Sequence, residues 1–91
     1  MSESEQFTFK FEQDELQDTF YDNCISVTVT VSIHPKLVLE YEKIFDDSPS
    51  VRSVAEWLTD VMVIQDSIPD GINAELLRNY FTVVKVKTKE Y

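Results

Sequence analysis

Residues 24–33 alternate between apolar side chains and small or hydroxyl-bearing ones, in the order Cys-Ile-Ser-Val-Thr-Val-Thr-Val-Ser-Ile. Successive side chains of a β-strand point to opposite faces, so a period of two predicts a strand with one apolar and one polar face. Ile25 is expected on the core side, and Cys24 and Ser26 on the other side. Because a strand buried on both faces would show a continuous apolar run, this segment predicts an antiparallel sheet with one face in water.

Two further segments predict strands of the same sheet. Residues 7–11 alternate with three phenylalanines on one face, and residues 80–88 combine β-branched residues with lysines. Residues 1–6 are polar and acidic, which is typical of a frayed tail. Residues 69–71, Pro-Asp-Gly, predict a turn before the last strand.

Three segments between these strands favour helices. Residues 51–62 carry apolar side chains at spacings of three and four after a Ser-Pro-Ser start signal, and residues 73–79 predict a shorter helix. Residues 36–46 fit either a helix with Pro35 in its first turn or a strand that follows a hairpin turn. The helix is favoured, although Leu39 lies off its apolar stripe.

The length of 91 residues predicts one domain, residues 1–91. Apolar residues make up 43% of the chain, a composition that folds rather than one that stays disordered. The combined pattern predicts the α+β class. We expect an antiparallel sheet of three to four strands with two to three helices packed on one face.

The residue types that carry catalysis and metal binding are scarce. Cys24 and His34 are the only cysteine and histidine, and ten residues of one strand place them about 33 Å apart, too far for a nucleophile–base pair. We expect Cys24 to be a small packed or half-exposed residue and His34 a turn or cap residue. No zinc-ligand pair or calcium-loop pattern occurs, and the single Gly71 cannot form a phosphate-binding loop. The sequence therefore predicts no catalytic residue, no metal, no cofactor and no enzymatic activity.

Charge is the most informative feature of the composition. The net charge is −9, and residues 1–22 hold seven acids and one base, whereas residues 80–91 hold three lysines and one acid. An acidic surface repels DNA and anionic membranes and attracts basic proteins. The longest apolar run, residues 61–64, is too short to span a bilayer, and the polar N-terminus has no signal-peptide pattern. We therefore expect a cytoplasmic protein with a basic partner and no direct binding to nucleic acid or membrane.

The acids are concentrated where a helix is plausible. If residues 13–22 turn helically, four carboxylates fall within an arc of about 100°, and Leu16 and Phe20 lie opposite, toward the core. Acids four residues apart recur along the chain, and each such pair costs about 0.2–0.5 kcal/mol in a helix. Uncompensated repulsion of this kind indicates a surface that binds a partner. The predicted partner-binding residues are nine carboxylates: Glu12, Asp14, Glu15, Asp18, Asp22, Glu42, Asp46, Glu56 and Asp60.

In length, net charge and lack of catalytic motifs, the chain resembles the small acidic phage-encoded inhibitors of restriction enzymes, DNA-repair enzymes and CRISPR effectors. Carboxylates two apart on a strand or four apart on a helix lie about 6–7 Å apart, close to the spacing of neighbouring phosphates. The resemblance implies an anti-restriction type of DNA mimic that occupies the DNA-binding site of a basic host protein or nuclease in the host cytoplasm. The alternative is an adaptor or assembly subunit that binds through the hydroxyl face of residues 24–33, Trp57 and Tyr91. An open sheet edge would also favour a homodimer.

Overall fold

A computed structural model describes residues 3–42, 44 and 48–91. Within these ranges the chain forms a three-stranded antiparallel sheet and three α-helices, which confirms the predicted α+β class. The sheet order is β1–β2–β3, with β1 at Glu5–Glu12, β2 at Cys24–Ile33 and β3 at Phe81–Glu90. The helices are α1 at Pro35–Tyr41, α2 at Val51–Thr59 and α3 at Ala74–Tyr80. A 3-10 turn at Gln13–Leu16 follows β1, and a π-helical turn at Asp60–Ile64 extends α2.

The central strand β2 has the length that its alternation predicts. Its apolar residues from Val27 to Ile33 are fully buried, since they face the helices and are flanked by apolar residues such as Phe9 of β1 and Phe81 of β3. The alternation fails at the start of the strand, where the pairing with β3 shifts by one residue. Cys24 and Ser26 are buried and Ile25 is only half-buried, which is the reverse of the burial predicted at these three positions.

Both outer strands are longer than predicted. Glu5 and Gln6, which were assigned to the frayed tail, pair with Ile33 and Ser32 at the start of β1. Strand β3 continues to Glu90 because Glu90 pairs with Cys24, the first residue of β2. The sheet therefore exposes two full-length edges.

Helix α1 supports the helical interpretation of residues 36–46 as far as the structure describes them. The ring nitrogen Nδ1 of His34 accepts a hydrogen bond from the backbone N–H of Lys36 at 3.0 Å and caps the helix. Pro35 occupies the first helical position, where proline is favoured. Leu39, which did not fit the apolar stripe, is exposed because it lies on the solvent side of the helix. Residues 43, 45 and 46 of the predicted segment lie outside the described residues.

Helix α2 begins as predicted but ends differently. Ser50 Oγ accepts a hydrogen bond from the N–H of Ser53 at 3.0 Å, which caps the helix N-terminus. The π-helical turn that follows adds about one residue per turn to the winding. As a result Ile64 becomes the buried residue, whereas Val61 and Met62, which the helical spacing assigned to the core, are partly exposed.

The helices cover only part of the sheet. Helix α2 packs against β1 and β2, which buries Phe9 and Phe11. The turn at Gly71 and helix α3 lead directly into β3, where Phe81 is buried and every later residue is exposed. The opposite face of the sheet carries the hydroxyl groups and is open to water. The predicted pattern of one covered and one wet face is confirmed, but the helices do not cover β3 beyond Phe81.

Candidate protein-binding surface

The predicted acidic helix over residues 13–22 does not form. The 3-10 turn Gln13–Leu16 ends at Gln17, whose backbone is extended, and Asp18 follows with a φ of +62°, in the left-handed region. The four carboxylates of this segment therefore do not share a helical arc, and that part of the prediction is wrong. All four side chains are nevertheless exposed: Asp14, Glu15, Asp18 and Asp22. We call residues 13–23 the acidic loop.

The two apolar residues of the acidic loop have different positions. Leu16 is fully buried, as predicted, but Phe20 is 73% exposed. The reversal at Asp18 is held by Thr19, whose hydroxyl donates to the carbonyl of Leu16 at 2.6 Å and accepts from the N–H of Tyr21 at 3.2 Å. The ring of Phe20 stands edge-on to that of Tyr21, with 5.2 Å between the ring centres. An aromatic side chain thus lies at the surface among carboxylates.

Three of the predicted site residues meet in one cleft. Glu15 of the 3-10 turn, Glu56 of α2 and Asp60 of the π-helical turn line a recess of about 440 Å³, together with Phe11, Trp57 and Gln65. Trp57 is half-buried and its ring stands edge-on to that of Tyr41, with 5.1 Å between the ring centres. This acidic cleft therefore combines three carboxylates with an aromatic wall that packing holds in place.

The carboxylates of the acidic cleft are not neutralised by nearby bases in the described structure. Glu15 Oε1 accepts a hydrogen bond from the N–H of Glu12 at 3.1 Å, and Asp60 Oδ2 accepts one from Gln65 Nε2 at 3.4 Å. Arg52, one helical turn before Glu56, lies instead over the rings of Phe7 and Phe9, at 6.0 and 5.2 Å from their centres. Cation–π contacts of this kind occupy the guanidinium group. The cleft thus keeps its negative charge.

The other predicted site residues lie apart from the cleft. Glu12 forms an exposed ion pair with Lys10 at 3.3 Å, and Glu42 is exposed just after α1. Asp46 lies outside the described residues. Of the five acid pairs at a spacing of four, only Glu56 and Asp60 both lie on helical backbone within the described residues. The predicted cost of helical repulsion therefore applies to that one pair.

The two residues with nucleophile or base chemistry have structural roles. Cys24 is buried, although the alternation placed it on the hydroxyl face. His34 caps α1, as the sequence predicted. Among the described residues, no group of three or more histidine, cysteine, aspartate and glutamate side chains has the geometry of a metal site. In the same ranges, no helix has both the length and the apolar character needed to cross a bilayer.

Sequence reasoning predicted the carboxylates of this surface but did not combine them with aromatic residues. It named Trp57 only as a binding residue of the adaptor alternative, and it assigned Phe20 to the core because Phe20 stands four residues after Leu16. The signal that could have corrected this assignment is Asp18, a residue type that tolerates positive φ and ends a helix. Comparison with family models, with curated proteins and with solved structures finds none that matches this chain.

Proposed function

We propose that the protein is a non-catalytic inhibitor whose carboxylates occupy the DNA-binding site of a basic host protein or nuclease. The observation that carries the proposal is the acidic cleft, which Glu15, Glu56 and Asp60 line together with Trp57. The acidic loop extends this negative surface and adds the exposed ring of Phe20. Interfaces draw much of their affinity from a few aromatic anchors surrounded by polar residues, and this surface offers both.

The chemistry of the cleft favours one type of occupant. Carboxylates form short, charge-assisted hydrogen bonds with guanidinium and ammonium groups, and an indole face attracts the same cations. Arginine suits the site best, because its planar group can bind a carboxylate through two N–H donors while it stacks on an aromatic ring. We infer that an arginine or lysine that would contact DNA phosphate inserts into the cleft instead.

The rest of the acidic surface acts on the rate of association. Exposed carboxylates such as Asp14, Asp18 and Asp22 are screened by salt and contribute little to the final complex, but they attract a basic partner from a distance. A partner that binds DNA carries the matching positive surface. We therefore place the activity in the cytoplasm, where such proteins meet nucleic acid, and we infer binding without a cofactor.

Two matched triple variants test this proposal. In the first, Glu15→Gln, Glu56→Gln and Asp60→Asn neutralise the cleft while they keep side-chain size and hydrogen-bond acceptors. In the second, Glu3→Gln, Glu40→Gln and Glu75→Gln change the net charge equally at exposed positions elsewhere. The partner is first isolated by affinity capture from host lysate, and its affinity for each variant is then measured from about 0.05 to 0.5 M salt, with duplex DNA as a competitor.

The cleft variant is expected to lose at least about tenfold in affinity, because charged hydrogen bonds at the centre of an interface are lost. The control variant should change affinity by less than about threefold, since exposed rim charges contribute little. Binding should weaken as salt rises, and duplex DNA should displace the protein from its partner. Equal losses in the two variants, or a partner that binds the protein and DNA at the same time, would refute the proposal.

One observation favours the alternative of an adaptor or assembly subunit. Large apolar side chains are exposed near the last strand, among them Ile68, Val83, Val84 and Val86. Exposed apolar surface of this kind is typical of protein–protein contacts that do not depend on charge. An adaptor of this type would bind its partner with an affinity that neutralisation of the cleft leaves unchanged.

A further inference from the structure

The two edges of the sheet are covered differently. On the inner face, Phe9 and Phe11 of β1 are 6% and 5% exposed, because α2 packs over them. On the same face, Val83 and Val86 of β3 are 41% and 39% exposed. The apolar face of β3 therefore continues the core beyond the last residue that the helices cover.

The outer edge of β3 also presents backbone hydrogen-bonding groups. The strand is last in the sheet order, so the N–H and C=O groups on its outer side have no neighbouring strand in the described structure. Ten residues without proline give an edge of about 33 Å. A register shift at Val84 interrupts it, and Lys85 to Lys89 form its longest regular stretch. An edge of this length is a template for the addition of another strand.

The side chains on the outer face of β3 are basic. Lys85, Lys87 and Lys89 stand opposite Thr30, Thr28 and Ser26 of β2, on the hydroxyl face of the sheet. Three consecutive outward positions of the edge strand thus carry positive charge in a protein of net charge −9. A segment that pairs with β3 would place its own outward side chains beside these lysines.

This pattern disfavours a second copy of the chain as the occupant. Residues directly opposite each other in an antiparallel pair lie on the same face of the sheet. Every outward position from Lys85 to Lys89 is lysine, so any antiparallel self-pairing over this stretch sets lysine against lysine. Like charges in that position destabilise a sheet, whereas opposite charges stabilise it. The lysines that disfavour self-pairing at this edge favour an acidic segment.

A groove at the start of β3 favours an apolar side chain in the segment that binds. Met62, Ile68, Leu77, Phe81 and Val83 line a recess of about 380 Å³ beside the strand. Ile68 is 67% exposed at its rim. An incoming strand with an apolar side chain on its inner face would place that side chain against Val83 or in this groove.

We propose that β3 is a docking edge for an extended segment of a partner protein, which adds to the sheet as a fourth strand. The segment alternates acidic and apolar residues. Its carboxylates face Lys85, Lys87 and Lys89, and its apolar side chains cover Val83 and Val86. This site is separate from the acidic cleft and does not depend on the function proposed for the cleft.

Synthetic peptides test the docking edge without knowledge of the natural partner. The probe is an eight-residue, fluorescently labelled peptide of alternating glutamate and valine. Three further probes are a lysine–valine peptide, a glutamate–valine peptide in which the residues form two blocks, and the alternating acidic peptide with N-methyl groups on every second residue. A single-stranded DNA oligonucleotide is the polyanion control. Binding is followed by fluorescence anisotropy, and amide exchange of β3 by NMR.

The alternating acidic peptide is expected to bind at least about tenfold more tightly than the other probes, since charge, alternation and ladder hydrogen bonds all contribute. It should also slow amide exchange along β3. The double variant Lys85→Glu and Lys87→Glu should reduce its affinity at least about tenfold, whereas Lys36→Glu on α1 should change it by less than about twofold.

Four results would overturn the proposal. N-methylation without effect would exclude strand pairing, and equal binding of the block peptide would leave only non-specific charge attraction. Tighter binding of the oligonucleotide than of the acidic peptide would show that the lysine face binds nucleic acid. Concentration-dependent protection of β3 in the absence of peptide would show that a second copy occupies the edge. Neutralisation of the acidic cleft should not weaken peptide binding, so failure of either proposal can be recognised separately.

Discussion

Replacement of Tyr41 by phenylalanine is expected to stabilise the protein. Tyr41 is fully buried at the end of α1, and its ring stands edge-on to Trp57 in the wall of the acidic cleft. Its hydroxyl oxygen is also buried and has no hydrogen-bond partner in the described structure. A buried polar group without a partner costs the free energy of removing it from water, and the substitution eliminates that group while it keeps the ring.

The expected magnitude follows from two opposing contributions. An unsatisfied buried hydroxyl costs about 1–3 kcal/mol. The void left by one oxygen atom costs less than about 0.5 kcal/mol, at about 24 cal/mol per Å³ of cavity. The free energy of unfolding should therefore rise by about 1–2 kcal/mol, and Tm by about 4–8 °C for each kcal/mol in a domain of this size.

Urea denaturation at pH 7 measures the change, with Tyr21→Phe at a half-buried position as the control. The midpoint should rise for Tyr41→Phe at an unchanged m value, and should move little for the control. A fall in the free energy of unfolding for Tyr41→Phe would show that the hydroxyl is hydrogen-bonded in the folded protein, and would refute the reasoning.

The same residue predicts the response to alkaline pH. Burial raises the pKa of the Tyr41 phenol above its ordinary value of 10.0. Above pH 10 the unfolded chain therefore releases this proton while the folded protein retains it, so the free energy of unfolding falls as pH rises. Tyr41→Phe should lose less stability than the wild type between about pH 9.5 and 11. Parallel curves for the two proteins over this range would contradict the assignment.

Two further substitutions test local features of the fold and the surface. Gly71→Ala should lower the free energy of unfolding by about 1 kcal/mol in urea titrations, because Gly71 has a φ of +83° although nothing crowds its Cβ position; an unchanged midpoint would show that the turn adapts. Phe20→Ser should change that free energy by less than about 0.5 kcal/mol, since the ring is 73% exposed, yet weaken binding to the partner captured by the acidic surface. Unchanged affinity would exclude Phe20 as an anchor.

The elements of this fold were predictable where side-chain periodicity was strong. The alternation of residues 24–33 predicted β2, and the spacing of apolar residues predicted the start of α2. Two predictions were wrong, the helix over residues 13–22 and the buried residues at the end of α2. Both errors arise from backbone geometry that side-chain periodicity does not report. The extended backbone of Gln17 ends the 3-10 turn, and the positive φ of Asp18 reverses the chain. The π-helical turn at residues 60–64 shifts the buried face by about one residue. One residue with an unusual backbone angle does not change the spacing of the apolar residues around it, so periodicity does not predict it.

For the candidate site, the sequence predicted the residue type but not which residues come together. The sequence predicted that carboxylates form the binding surface, and that interpretation stays a prediction. It did not predict that Glu15 would meet Glu56 and Asp60, because these residues are some forty positions apart and come together only where α2 packs on β1. The exposed inner face of β3 depends likewise on how far the helices extend over the sheet, which no local pattern encodes.

Net charge is a poor guide to binding when opposite charges occupy opposite edges of a sheet. The acidic cleft includes Phe11 of β1, whereas the lysines lie on β3, with β2 between them. Two strand spacings separate the edges by about 10 Å, and the Debye length at physiological salt is about 8 Å. Each edge is therefore partly screened from the other, and an acidic segment can bind β3 despite the net charge of −9. Neutralisation of the cleft should weaken a basic partner but leave an acidic peptide unchanged or bound slightly more tightly, because the residual repulsion across the sheet is removed.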